Sequence, residues 1–303
     1  MTNLVSTFSI VALDSRNKDL GVAVESKYFS VGSVVPWAEA GVGAIATQAR
    51  VNVSYGLEGL KLLAAGLSVS EVIDELTRKD PDRETRQLGV VDAKGNSTCF
   101  TGNKCIEWAG SKTGINYSVQ GNILASENVV LAMAEQFEST EGELADRLMA
   151  ALEAGQAAGG DSRGRQSAAI MVMRKGGGRM GYGDRYIDLR VEDHKEPIRE
   201  LRRLLGLAYT HRLIQVSWEA VNCRRLGEAL EPATKAVTLT PLNDEARTVL
   251  GLIRYLLGDE EASMMEFRQV LRINPNMKRM IEYYFKKYAI EDRDFLRKIR
   301  SPC

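Results

Sequence analysis

The run Gly159-Gly160-Asp161-Ser162-Arg163-Gly164-Arg165-Gln166-Ser167-Ala168-Ala169 concentrates side chains that can do chemistry. Its two leading glycines permit a tight backbone path, and Asp161 can orient a cation or cap a turn. Arg163 and Arg165 carry forked donors that match a carboxylate. Gln166 and Ser167 then open an apolar strand, where polar residues are placed to line a site. The same Asp-Arg loop also reads as a structural clasp, and the sequence leaves both readings open. Strand alternation puts Thr7 and Ser9 on one face, with Phe8 and Ile10 on the other. Gln48 and Asn122 are neutral amides at strand or turn ends, suited to polarising a carbonyl as oxyanion donors do. Lys175-Gly176-Gly177-Gly178-Arg179 lacks the G-x-x-x-x-G-K-[ST] pattern of a phosphate loop and is read as a hairpin turn.

Other chemistries have few parts. The chain has two histidines, one of them, His194, in a charged run. Its four cysteines (Cys99, Cys105, Cys223 and Cys303) make no C-x-x-C pair and are read as free thiols. No metal site and no cofactor is expected.

The elements that must position these residues follow from periodicity. Thr7–Leu13 and Leu20–Ser26 are strand-like runs around the polar loop Asp14 to Asp19, a hairpin. Further β signals cover Val31–Trp37 and Gly41–Gln48. Helical spacing follows over Tyr55–Ala65 and Val69–Lys79, the second opened by the capping-box pattern Ser68-x-x-Glu71. Strands return at Gln87–Asp92, before a Lys94-Gly95-Asn96 turn, and near Tyr117–Gly121. Helices over about Glu127–Glu138 and Glu143–Ala154 precede strands at Gln166–Met173 and Arg185–Val191. Helices in pairs, rather than singly between strands, favour antiparallel sheets between helix layers over a doubly wound parallel sheet.

Composition supports a folded chain. Of 303 residues, 44% are hydrophobic and 26% charged, close to the globular average. Forty basic and forty acidic side chains cancel, so nucleic acid and membrane surfaces are not expected partners. No apolar run reaches the ~18 residues of a membrane span, and Met1 to Ser9 lacks a secretory pattern; a cytoplasmic location is expected.

Glycine usage divides the chain: 23 of 27 glycines precede residue 196, and Leu-, Glu- and Arg-rich helical spacing follows. The expected domains are residues 1–195 and an all-α part over 196–303, with Pro197 in the first turn of a helix. Ala236-Val237-Thr238-Leu239-Thr240-Pro241 and Val270-Leu271-Arg272-Ile273-Asn274-Pro275 share a pattern, and their prolines lie 34 residues apart, the tetratricopeptide period. Ala229 and Ala236 fall on small-residue positions of one unit, and Leu250, Gly251 and Phe267 on the Leu, Gly and Phe positions of the next. Two such units leave apolar faces to cover, so residues 197–290 are expected to dock on the first domain or on a second subunit, and a homo-oligomer, or a peptide or protein partner on the helical repeats, is expected.

Several segments taken together resemble one family. They are Thr7-Phe8-Ser9-Ile10-Val11-Ala12, Gly21-Val22-Ala23-Val24-x-Ser26-Lys27, Ala46-Thr47-Gln48-Ala49, Gln120-Gly121-Asn122-x-Leu124, the Gly159–Ala169 run, and Asp188-Leu189-Arg190-Val191-x-Asp193-His194. Over roughly residues 5–195 the chain resembles the family named domain of unknown function 1028, whose members can carry a tetratricopeptide-like C-terminal extension. The resemblance implies an α+β chain: the four-layer αββα sandwich of the N-terminal nucleophile hydrolases, followed by the helical domain. In that superfamily the first residue of the first strand attacks an amide carbonyl while its own free α-amine takes the proton. The corresponding position is Thr7, so the Ser6-Thr7 bond must be cut, because as translated the Thr7 nitrogen is an amide. Ser9 is placed to hydrogen-bond the nucleophile. The resemblance also puts Glu25, Ser26 and Lys27 near the active end, where Lys27 would lower the pKa of the amine. Proteasome-type members start the third strand with a lysine, which Val31-Gly32-Ser33-Val34 lacks.

The expected function is hydrolysis of a small amide, with carboxylate-bearing substrates held by Arg163 or Arg165. Thr7, Ser9, Lys27 and Ser167 form the catalytic set. Ser26, Gln48, Asn122, Asp161, Arg163, Arg165 and Gln166 form the substrate-binding set. One rival expectation is a non-catalytic αββα binding module whose helical repeats recruit a partner; another is hydrolysis without processing, with a side chain such as Lys27 as base.

Overall fold

A computed structural model of the chain describes residues 4–5 and 7–299. Ser6 and Cys303 therefore lie outside the described residues. The protein is mixed α+β, with two antiparallel sheets and, among the described residues, ten α-helices. The chain divides into two units after Arg202.

In the first unit, β1 (Leu4–Val5), β4 (Pro36–Glu39), β5 (Gly43–Arg50), β6 (Arg86–Asp92) and β7 (Ser97–Thr101) build one sheet in the order β1-β5-β6-β7. β4 pairs with β5 on the same edge as β1, opposite Gly43–Ala46, while Leu4 and Val5 pair with Arg50 and Ala49. The second sheet runs β11 (Arg185–Val191), β10 (Ser167–Met173), β3 (Asp19–Ser26), β2 (Thr7–Asp14), β9 (Tyr117–Asn122) and β8 (Gly110–Gly114). The expected hairpin at Asp14–Asp19 joins β2 to β3. β1 belongs to the first sheet and β2, which begins at Thr7, to the second.

Helices α1 (Ser54–Ala64) and α2 (Val69–Arg78) pack on the first sheet, where Ile45, Leu88 and Val90 meet Tyr55, Leu60, Val72 and Leu76. The capping box on Ser68 and Glu71 is formed. Helices α3 (Asn128–Ser139) and α4 (Leu144–Ala157) pack on the second sheet. The sheets face each other across Val11, Leu13, Val22, Val24, Ala44, Ala46 and Val91, all buried.

The stretch read as a strand over Val31–Trp37 is different in the structure. Val31–Ser33 forms a 3-10 turn, and the strand begins only at Pro36. Ser167 Oγ accepts from the Val31 nitrogen at 3.0 Å and donates to the Tyr28 carbonyl at 2.6 Å, which holds the turn against β10. Two strands that carry little apolar pattern, β7 and β8, form by pairing with β6 and β9.

The unit boundary falls inside α5 (Pro197–Asn222). The second unit continues with α6 (Leu226–Leu239), α7 (Asp244–Leu256), α8 (Glu260–Ile273), α9 (Lys278–Lys287) and α10 (Arg293–Lys298). Asn243 and Asp259 cap α7 and α8 by accepting from the nitrogens of Ala246 and Ala262. Ala229, Ala233 and Ala236 are fully buried, and a Cβ on Gly251 would stand 3.2 Å from the Phe267 ring, so small residues set the spacing of these helices. No helix among the described residues is long and apolar enough to cross a membrane.

Candidate functional site

Alternation along β2 sends Thr7, Ser9, Val11 and Leu13 into the space between the sheets. The inner row is therefore apolar at the hairpin end and polar at the end where β2 begins. The neighbouring strands repeat the gradient. On β9 the inward residues Ser118, Gln120 and Asn122 are all polar and buried, and Asn122 is the register partner of Thr7. On β5 and β6, Gln48 and Gln87 pair with each other and are fully buried. On β3 the inward row of Val22 and Val24 ends in Ser26, with Ser167 opposite it, while Glu25 pairs with Phe8 on the other face.

These side chains form one network between the sheets. Ser9 Oγ donates to Gln48 Oε1 at 2.6 Å and accepts from Gln120 Nε2 at 2.7 Å. Gln48 Nε2 donates to Gln87 Oε1 at 2.8 Å and makes longer contacts with the carbonyls of Gln120 (3.4 Å) and Thr7 (3.5 Å). Asn122 Nδ2 donates to the same Gln87 oxygen at 2.9 Å. Gln120 lies directly against Gly89 of the facing sheet, where a Cβ would fall 2.0 Å from its Oε1. Burying this many polar atoms costs free energy unless each is bonded, and most are. Thr7 Oγ1 is not among them: it is buried and has no hydrogen-bond partner among the described residues.

Two residues beside the network have left-handed backbone, Ala49 (φ 65°) after Gln48 and Ile123 (φ 52°) after Asn122. For a β-branched residue this conformation is strained, and such strain clusters at functional sites.

Of the residues expected from the sequence, Thr7, Ser9, Gln48, Asn122 and Ser26 come together at this polar end. Ser167, opposite Ser26 in the register, adjoins them; the others lie elsewhere. Lys27 is exposed, and its Nζ donates to the Arg165 carbonyl at 3.3 Å. Ser167 is engaged in the Tyr28–Val31 turn. Arg163 grips Asp161 through Nε (3.1 Å) and Nη2 (2.8 Å), Arg165 pairs with Glu196, and Gln166 Nε2 donates to Asp193 at 3.0 Å. Glu25 points with Phe8 to the helix-covered face of the sheet and is fully buried. Burial, and then the charge of Asp161, push its carboxyl well above the ordinary range against the pull of Arg165.

Gln87 and Gln120 belong to the network although neither stands out in the sequence as a candidate. For Gln120 the signal was present as polar side chains at period two, Ser118, Gln120 and Asn122, on a strand whose other face is apolar; Gln87 carries no such pattern.

The profile of the family described as "Family of unknown function (DUF1028)" matches residues 7–201. The chain belongs to this family. A DUF1028 protein of known crystal structure, SPO2555 from Silicibacter pomeroyi, is similar to it: 31% identical, with a TM-score of 0.62, over 67% of this chain and 86% of that one. No curated protein matches the chain.

Proposed function

We propose that the protein is an amidohydrolase of the N-terminal nucleophile type, acting on a small amide with Thr7 as nucleophile. The observation that carries this reading is the Thr7 hydroxyl, buried and unbonded at the first position of β2, at the polar end of the inter-sheet layer. A buried hydroxyl without a partner calls for an explanation, and a reactive role supplies one. The helix pairs on the outer faces of the two sheets support the αββα arrangement of that superfamily. The family match, which begins at Thr7, supports the same starting residue.

Activation requires the Ser6-Thr7 bond to break. Thr7 Oγ1 attacks the Ser6 carbonyl, the C–N bond opens to leave an ester on Oγ1 and a free α-amine on Thr7, and water hydrolyses the ester. Residues 1–6 leave as a carboxylic acid, taking β1 from the edge of β5 beside Gln48. The amine, which as an ordinary chain terminus titrates near pH ~8, then accepts the Oγ1 proton in each turnover. Lys27, held at the surface, is left out of this step. Arg163 is forked onto the buried Asp161 and Arg165 is paired with the exposed Glu196, so Arg165 is the more readily released of the two to meet a substrate carboxylate. The helical unit is read as tetratricopeptide-like and as the surface for a second copy or a peptide partner.

Amine release from a panel of short amides tests the reading. Activity abolished by Thr7→Ala and partly kept by Thr7→Ser supports it; Thr7→Ala activity equal to wild type overturns it. The rival reading, a binding module, draws on the internal hydrogen bonding of Ser9, Gln48, Gln87 and Gln120, which suits a rigid surface as well.

A further inference from the structure

Gln87 occupies an unusual place in the buried network. Its Nε2, with two hydrogens to give, faces three acceptors: the Gly121 carbonyl at 2.8 Å, Thr101 Oγ1 at 2.9 Å and the Gly110 carbonyl at 3.3 Å. Two of these three are main-chain oxygens, which can only accept. Turning the amide over would set its oxygen against both carbonyls, so the orientation is fixed by chemistry rather than by choice of fit. The oxygen must then face Gln48 and Asn122, and both of those amides must present nitrogen to it, at 2.8 and 2.9 Å.

The direction propagates. With its nitrogen toward Gln87, Gln48 turns Oε1 to Ser9, whose hydroxyl must donate (2.6 Å) and therefore accepts from Gln120 Nε2 (2.7 Å). Gln120 Oε1 in turn accepts from Ser118 Oγ at 2.9 Å. Reversing Gln87 reverses every donor in this chain. Asn122 is the register partner of Thr7, and Gln48 Nε2 reaches the Thr7 carbonyl.

We infer that Gln87 is a positioning residue, which orients the Gln48 and Asn122 amides around Thr7 and so aligns the nucleophile without touching it. The inference rests on the proposed role of Thr7 and adds a residue to it. A displacement of about 1 Å in such a constellation can lower a rate ~100-fold.

The test follows release of residues 1–6 from the full chain, made by cell-free synthesis and sampled by intact mass, together with melting temperature. Gln87→Met removes the fixed acceptor and should slow release by about ten- to a hundredfold. Gln87→Glu keeps the shape. A protonated glutamic acid can donate to the Gly121 carbonyl and accept from Gln48 and Asn122, whereas the carboxylate faces the two carbonyls with a second acceptor. Between the sheets the carboxyl pKa is raised, so the variant should process near the wild-type rate at about pH 5 and fall behind as pH rises to about 8. If Gln87→Met does not fold, the pH profile of Gln87→Glu relative to wild type decides. Variants with lower melting temperatures but wild-type release at every pH overturn the positioning role and leave Thr7 standing. A wild-type chain that never loses residues 1–6 overturns the Thr7 reading and this inference together.

Discussion

The Asp161 carboxylate holds both arms of Arg163 and, through Oδ2, also accepts from the main-chain nitrogen of Lys27 at 3.1 Å. One buried carboxylate thus ties the glycine-rich loop to the end of β3. Arg163→Ala should lower the melting temperature and reduce hydrolysis of charged and neutral amides alike. A loss confined to carboxylate-bearing amides, with stability unchanged, would place Arg163 in substrate binding instead.

Glu25 makes a prediction of opposite sign. Its carboxyl is raised by burial, so the folded state holds a proton that the unfolded chain gives up above about pH 4. Its presence therefore weakens the fold progressively as pH rises above that value. Glu25→Gln should raise the melting temperature at pH 7 to 8, with the gain shrinking toward pH 4. A gain independent of pH would show that the carboxyl is not held neutral.

Asp80, after α2, reaches Arg86 of β6 at 2.8 Å and Tyr55 of α1 at 2.8 Å. Burial opposes its charge, but hydrogen bonds from Arg86, Tyr55 and the Asp82 nitrogen outweigh it and hold the carboxyl well below its ordinary range. Stability from this group is fully present above about pH 4 and is lost as pH falls through the lowered folded value. Arg86→Met should therefore destabilise by up to about 3 kcal/mol at neutral pH, and by less in acid. Urea titrations at pH 7 and pH 3 measure the difference; equal losses at both would contradict the pairing.

The contact of Gly89 with Gln120 gives a steric prediction. A methyl at position 89 must displace a buried, bonded amide, so Gly89→Ala should cost about 1–3 kcal/mol and disturb the Ser9 network. Chemical denaturation reads the first effect, and release of residues 1–6 the second.

Much of the architecture was legible in the sequence, because local signals and packing agreed. The hairpin around Asp14–Asp19, the paired helices and the Ser68 capping box all rest on neighbours within a few residues. Ser97–Thr101 and Gly110–Gly114 could not be read that way: they are partly exposed polar strands whose structure comes from pairing with β6 and β9. The site divides similarly. Thr7 and Ser9 share a face by alternation alone, but which amides meet them depends on how the two sheets oppose. Gln87, 80 positions from Thr7 by residue number, becomes visible only then. Arg163 and Arg165 were recognisable as forks; their occupants, Asp161 and Glu196, were set by the path of the loop.

The N-terminus of the purified protein tests the central claim most directly. Intact mass spectrometry should find a wild-type chain that begins at Thr7, and a Thr7→Ala chain that keeps residue 6 and those before it. Wild-type protein that hydrolyses small amides while residues 2–6 remain attached would contradict the account.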